Sequence, residues 1–83
     1  MAGYHIRDIK KGTLGELSKI REELEEAEDA EEQGVNLMVL VELSDMVGAV
    51  QAYLEKHCPH IGIDCLISMA EVTKRAFESG HRK

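Results

Sequence analysis

The chain has 83 residues with 16 acids against 10 Lys plus Arg, a formal charge of −6, so the clustered positive charge that grips a phosphate backbone is not expected and nucleic acid is excluded as a partner. A hydrophobic fraction of 43% with one Pro and seven Gly excludes disordered and collagen-like chains. The length allows one domain, residues 1–83, and three aromatics leave its core to aliphatic side chains.

A domain this small draws only a few kcal/mol from its core and usually gains a disulfide, a metal or a partner subunit. Residues 1–11 are polar and charged and carry no secretory pattern. Cys58 and Cys65 are therefore expected as reduced thiols in a cytoplasmic protein. Association of subunits is the expected way to complete the core.

After a short lead, Thr13 is predicted to open the first helix through the capping-box pair of Thr13 and Glu16. Leu14, Leu17, Ile20, Leu24 and Ala27 recur at helical spacing, and Gly34 ends the helix. From 22 to 29 the helix carries six acids, Glu22, Glu23, Glu25, Glu26, Glu28 and Asp29, most of which are expected to be solvated. At about 100° per residue, Glu23 lies on the shoulder of the apolar stripe. Glu26 follows Glu23 by one turn but lies farther from the stripe, and Glu22 points nearly opposite.

Asn36 is the predicted N-cap of a second helix that runs to about Lys56. It is apolar almost all round, the pattern of a helix buried on several sides. A membrane span is not expected, because Glu42, Ser44, Asp45 and Gln51 interrupt the apolar run and acids near a bilayer centre are costly. Pro59 and Gly62 mark a connection, and Asp64 is the predicted N-cap of a third helix ending near Gly80. The tail from 81 to 83 is basic.

Some features point away from function. His57, Cys58, His60 and Cys65 match no familiar zinc spacing and read as two surface histidines and two half-buried thiols. Met38, Met46 and Met69 fall at apolar helical positions and read as core filling. Gly12 and Gly15 lack the lysine and spacing of a phosphate loop. Tyr4, His5 and Asn36 could contact a base, but read more simply as a cap or surface groups.

Glu42 and Asp45 are different. They share one face of the greasy helix about one turn apart, flanked by Met38, Val39, Val41, Met46 and Ala49. Burying ionised carboxylates costs several kcal/mol unless each is paired or binds a cation. The second helix offers no Lys or Arg before Lys56. A divalent ion held by oxygen ligands, Mg²⁺ or Mn²⁺, resolves the conflict. The bland alternative is an interface where both acids meet cations of the first or third helix.

The segment KIREELEE (19–26) followed by ELSD (42–45) resembles the EExxE…ExxD signature of the MazG-like, all-α NTP pyrophosphohydrolase superfamily. Fifteen residues separate Glu26 from Glu42, which suits two facing helices, and the likeness covers roughly residues 14–82. The resemblance implies an all-α subunit completing a four-helix-type bundle in a homodimer or tetramer. It implies Mg²⁺-dependent cleavage of a (deoxy)nucleoside triphosphate, at the α–β phosphoanhydride, to a monophosphate and pyrophosphate. Glu23 and Glu26 match the first acidic pair, Glu42 and Asp45 the second, and Glu22 the acid preceding them. The family would make these five the metal ligands, with one carboxylate also able to activate water.

Lys19, Lys74, Arg75 and Arg82 are the candidate phosphate contacts. The chain departs from longer members in lacking a full fourth helix, so the nucleoside pocket is expected between subunits. Two other functions fit the sequence: a phosphoribosyl-ATP pyrophosphohydrolase, and a non-catalytic helical module whose acids pair with partner cations.

Overall fold

The computed structural model describes residues 5–80, and over them the chain is all-α, with no strand. Its elements are α1 (Leu17–Glu32), α2 (Asn36–His57) and α3 (Ile63–Glu78).

The helix ends follow local chemistry, with two corrections to the sequence reading. Thr13 does not cap α1; Glu16 holds the N-cap position, extended and without a side-chain cap bond. The Thr13 carbonyl instead accepts the Glu16 N–H at 2.9 Å and closes a turn, while its own N–H donates to Ser18 Oγ at 3.0 Å. Val35 and Gly62 occupy the other two N-cap positions, so Asn36 and Asp64 sit just inside their helices. Asp64 there faces the positive end of the helix dipole. Gly34 does end α1. At φ +75° its N–H donates to the Glu31 carbonyl at 3.0 Å, and Val35 N–H reaches Ala30 at 3.1 Å. This is the paired closure that a left-handed residue after a helix permits.

The short connection at 33–35 folds α2 back antiparallel on α1. The far end of α2 therefore meets the start of α1: His57 Nε2 lies 3.0 Å from the Gly15 carbonyl, and Lys56 pairs with Glu16. The lead runs back along α1. Ile6 N–H donates to Asp29 Oδ2 at 3.0 Å, and Gly12 N–H donates to Glu22 Oε1 at 2.8 Å. A Cβ at Gly12 would stand 2.2 Å from the Ser18 carbonyl oxygen, so the lead lies this close only because the residue is glycine.

The hairpin is packed inside out relative to the periodicity argument. Glu22, Glu23, Glu26 and Asp29 are buried, whereas Leu17 is 60% and Leu24 47% exposed. Glu22, assigned by helical angle to the solvent side, lies under the lead. α2 shows the same inversion. Its buried residues are Glu42, Ala49 and Leu54, while Leu37, Leu40, Val41, Leu43 and Val47 face outward. Within one chain α2 is thus not covered on several sides. The buried apolar core among the described residues is Ala27, Ala30, Ala49 and Leu54, and the three alanines bring the helices close. Met69, read as core, is exposed, and both thiols are exposed rather than half-buried.

α3 has no buried residue and meets only the end of α2, across a corner lined by Gln51, Leu54, Pro59, Ile61 and Ile63. The radius of gyration is 14.4 Å, against about 12 Å for a compact chain of this length. By length (22 residues) and by the mean hydropathy of an 18-residue window (1.5), α2 is long and apolar enough to cross a membrane. Glu42 stands against that use, because it is 1% exposed and faces α1 rather than a lipid-like surrounding.

Candidate functional site

Two helices supply one acid cluster because their acids sit on facing surfaces. On α1, Glu22, Glu26 and Asp29 follow the i, i+4, i+7 row, with Glu23 beside them. On α2, Glu42 and Asp45 are one turn apart. The antiparallel hairpin places these rows opposite each other. Three overlapping groups result: Glu22, Glu23 and Glu26; Glu23, Glu42 and Asp45; and His5, Glu26 and Glu42. In each group one ligand atom per residue lies within 4.8 Å of the others.

The five acids singled out from sequence, Glu22, Glu23, Glu26, Glu42 and Asp45, are therefore brought together. Asp45 departs from its expected setting: it is exposed and stands at the rim, whereas Glu42 is sunk between the helices. The rim opens into a cleft of about 440 Å³ lined by Lys11, Lys19, Glu22, Glu23, Glu26 and Asp45, with Ser44 and Gly48 on the α2 wall. That volume lies in the range of small-ligand sites.

Lys19 is at the cleft, 3.1 Å from Glu22 and 3.5 Å from Glu23. Lys11, missed in the sequence reading, reaches Glu22 at 3.7 Å with its side chain largely in solvent. Lys74 and Arg75 are not brought here by the chain's own fold. Both lie on α3, no residue of which lines the cleft, and Lys74 pairs with Glu78 at 3.1 Å on its own helix. Arg82 and Tyr4 lie outside the described residues. Asn36 is exposed at the start of α2.

His5 corrects the reading of a surface residue. Its imidazole enters the cluster, with Nδ1 at 2.7 Å from Asp29 Oδ2 and Nε2 at 3.3 Å from Glu26 and 3.4 Å from Glu42. Asp29, named among the acids of the first helix, was not selected as a site residue, and its place in the Glu22, Glu26 row could have flagged it. No helical period could have flagged His5, which is carried on the irregular lead.

The electrostatics divide the cluster. Burial pushes the Glu26 carboxyl up first, and the hydrogen bond to Glu22 with the charges of Glu23 and Glu42 adds to it, bringing Glu26 to about 7. Burial also raises Glu23, opposed by Lys19 and reinforced by Asp45 and Glu22. Glu22 behaves oppositely: burial is outweighed by the Gly12 N–H and the Lys19 ammonium, which hold it below the usual carboxylate value. Asp29 is likewise held low, because the His5 ring and the Ile6 N–H outweigh its burial. Two ammonium groups, Lys11 and Lys19, and one imidazole, His5, stand against the six carboxylates. Negative charge is left in excess, and oxygen donors dominate the set. That donor chemistry fits a hard divalent cation such as Mg²⁺ or Mn²⁺.

No family profile, curated protein or solved structure matches this chain.

Proposed function

We propose that the chain is a metal-dependent hydrolase of the MazG-like kind, cleaving a (deoxy)nucleoside triphosphate to the monophosphate and pyrophosphate. The observation that carries this reading is the convergence of Glu22, Glu23 and Glu26 with Glu42 and Asp45 at ligand spacing, beside an open cleft. Glu22, Glu23, Glu26, Glu42 and Asp45 would hold Mg²⁺. The ion would neutralise the triphosphate against an acidic protein and polarise water at the α-phosphorus.

The chain's own groups have separable tasks. Lys19 stands on the cleft wall, where it exchanges a carboxylate for a phosphate oxygen as substrate enters. One carboxylate lining the cleft, Glu26, takes the proton of the attacking water at one Oε. The new bond forms between water oxygen and the α-phosphorus, and the bond to the bridging α–β oxygen breaks, releasing pyrophosphate. Lys74, Arg75 and Arg82 act, on this reading, only across a subunit boundary.

Association is part of the proposal. The chain exposes 6188 Å², about 1,200 Å² more than the roughly 5,000 Å² of a typical folded monomer of 9.3 kDa. A standard interface takes about 800 Å² from each partner. The exposed leucines of α1 and α2 thus have area enough to bury against a second copy, forming a four-helix-type bundle in a homodimer or tetramer. Light scattering is expected to give a mass that is a multiple of 9.3 kDa. A monomer at tens of micromolar would remove this part.

The same exposed leucines favour a second reading, a non-catalytic helical interaction module. A panel of ribo- and deoxynucleoside triphosphates separates the two. Pyrophosphate release that needs Mg²⁺ or Mn²⁺ and stops with EDTA is expected; no release from any member of the panel leaves the module.

A further inference from the structure

We propose that His5 is a metal ligand at the inner end of the cluster, forming with Glu26 and Glu42 a mixed nitrogen–oxygen corner that favours Mn²⁺ over Mg²⁺. The inference rests on the metal-dependent reading above and names the ion that reading leaves open.

The spacing comes first. His5 Nε2 stands 3.3 Å from Glu26 Oε1 and 3.4 Å from Glu42 Oε2. Donors on adjacent corners of an octahedral ion with bonds of about 2.1 Å stand about 3 Å apart. The two contacts to the imidazole are therefore already near the spacing of ligands to one ion.

The orientation of the ring comes second. Nδ1 lies 2.7 Å from Asp29 Oδ2, and that same oxygen accepts the Ile6 N–H at 3.0 Å. A ligating histidine commonly donates its other N–H to a carboxylate, which fixes the tautomer and turns the remaining lone pair toward the metal. Here the ring turns Nε2 toward Glu26 and Glu42. The ring is 7% exposed and Asp29 is fully buried, so this orientation is built into the fold.

Displacement of the ring is the costlier course. An ion held by Glu26 and Glu42 meets the imidazole nitrogen at contact distance. Removing the ring would break its bond to Asp29 and loosen the lead from α1, whereas ligation keeps both. The choice of metal then follows from ligand type. Carboxylates serve both ions, but an imidazole nitrogen favours first-row transition ions over Mg²⁺.

The test uses the intact protein with Mn²⁺ alone as probe. Pulsed EPR of bound Mn²⁺ is expected to show ¹⁴N modulation from a directly bound imidazole, lost in His5→Gln. By calorimetry, His5→Gln is expected to weaken Mn²⁺ about 10- to 100-fold and Mg²⁺ by less than about threefold. Asp29→Asn keeps the ring and is expected to keep the nitrogen signal with weaker binding, which covers the case in which His5→Gln fails to fold. Absent ¹⁴N modulation in the wild type, or tighter Mn²⁺ binding by His5→Gln, overturns the assignment. Were Mn²⁺ binding absent from the wild type or unaffected by Glu42→Gln, the parent reading would fail as well. Loss of binding in Glu42→Gln with no nitrogen signal removes the His5 ligand alone.

Discussion

Glu42→Gln is expected to lower turnover by more than about 100-fold while leaving the metal-free protein at least as stable as the wild type. Mutating a group behind a metal ligand already costs about 10- to 100-fold, so removing a ligand itself should cost more. The stability half of the result comes from the setting. Glu42 is 1% exposed and shares its site with Glu23, Glu26 and Asp45, and with His5 Nε2 at 3.4 Å, which the amide oxygen of Gln could still meet. An amide of the same shape removes one charge from a group of like charges and keeps the volume. A helical spectrum and an unlowered melting temperature in EDTA, together with loss of the thermal shift that millimolar Mg²⁺ or Mn²⁺ is expected to give the wild type, are the measurements. Unchanged turnover in this variant and in Asp45→Asn would place the chemistry elsewhere.

The second large effect is on stability against pH. Glu26 is raised to about 7 in the folded protein, above its ordinary value of 4.5. A carboxyl raised in this way binds its proton more tightly when folded. Its contribution is fully present below about pH 4.5 and is lost as pH rises through about 7. Glu22 and Asp29 are lowered, so their contributions are present above their ordinary values and are lost only as pH falls below them. Between pH 5 and 8 the Glu26 loss therefore dominates, with the raised Glu23 acting in the same direction. It amounts to about 1–3 kcal/mol, or a melting temperature lower by something like 10 °C. Metal binds the deprotonated carboxylate, so Mg²⁺ should raise the melting temperature more at pH 8 than at pH 5.5. Metal-free stability that climbs across this window would contradict the placement of Glu26.

Much of this arrangement was legible in the residue order, and the failures have two physical origins. Gly34, Pro59 and Gly62 set the helix limits, because turn geometry is local. Glu42 stood out because a charge inside an apolar run has few explanations, and it is indeed buried opposite the acids of α1. The orientation of α1 was not legible. A helical wheel assumes that the apolar stripe faces the nearest neighbour, and here Glu22, Glu23, Glu26 and Asp29 do so while Leu17 and Leu24 face out. The wheel identified an apolar surface correctly but not what covers it. His5 was hidden for another reason: 24 residues separate it from Asp29, and the lead that carries it has no period to read.

The sparse interior of the hairpin bears on how such a protein exists in dilute solution. Among the described residues, four buried apolar side chains, three of them alanine, are a small reserve against the conformational entropy of more than seventy ordered residues. On the association proposed above, folding and self-assembly would become one equilibrium rather than two. The melting temperature would climb with protein concentration, and a dilute sample would lose its helices and its oligomers in a single concerted step.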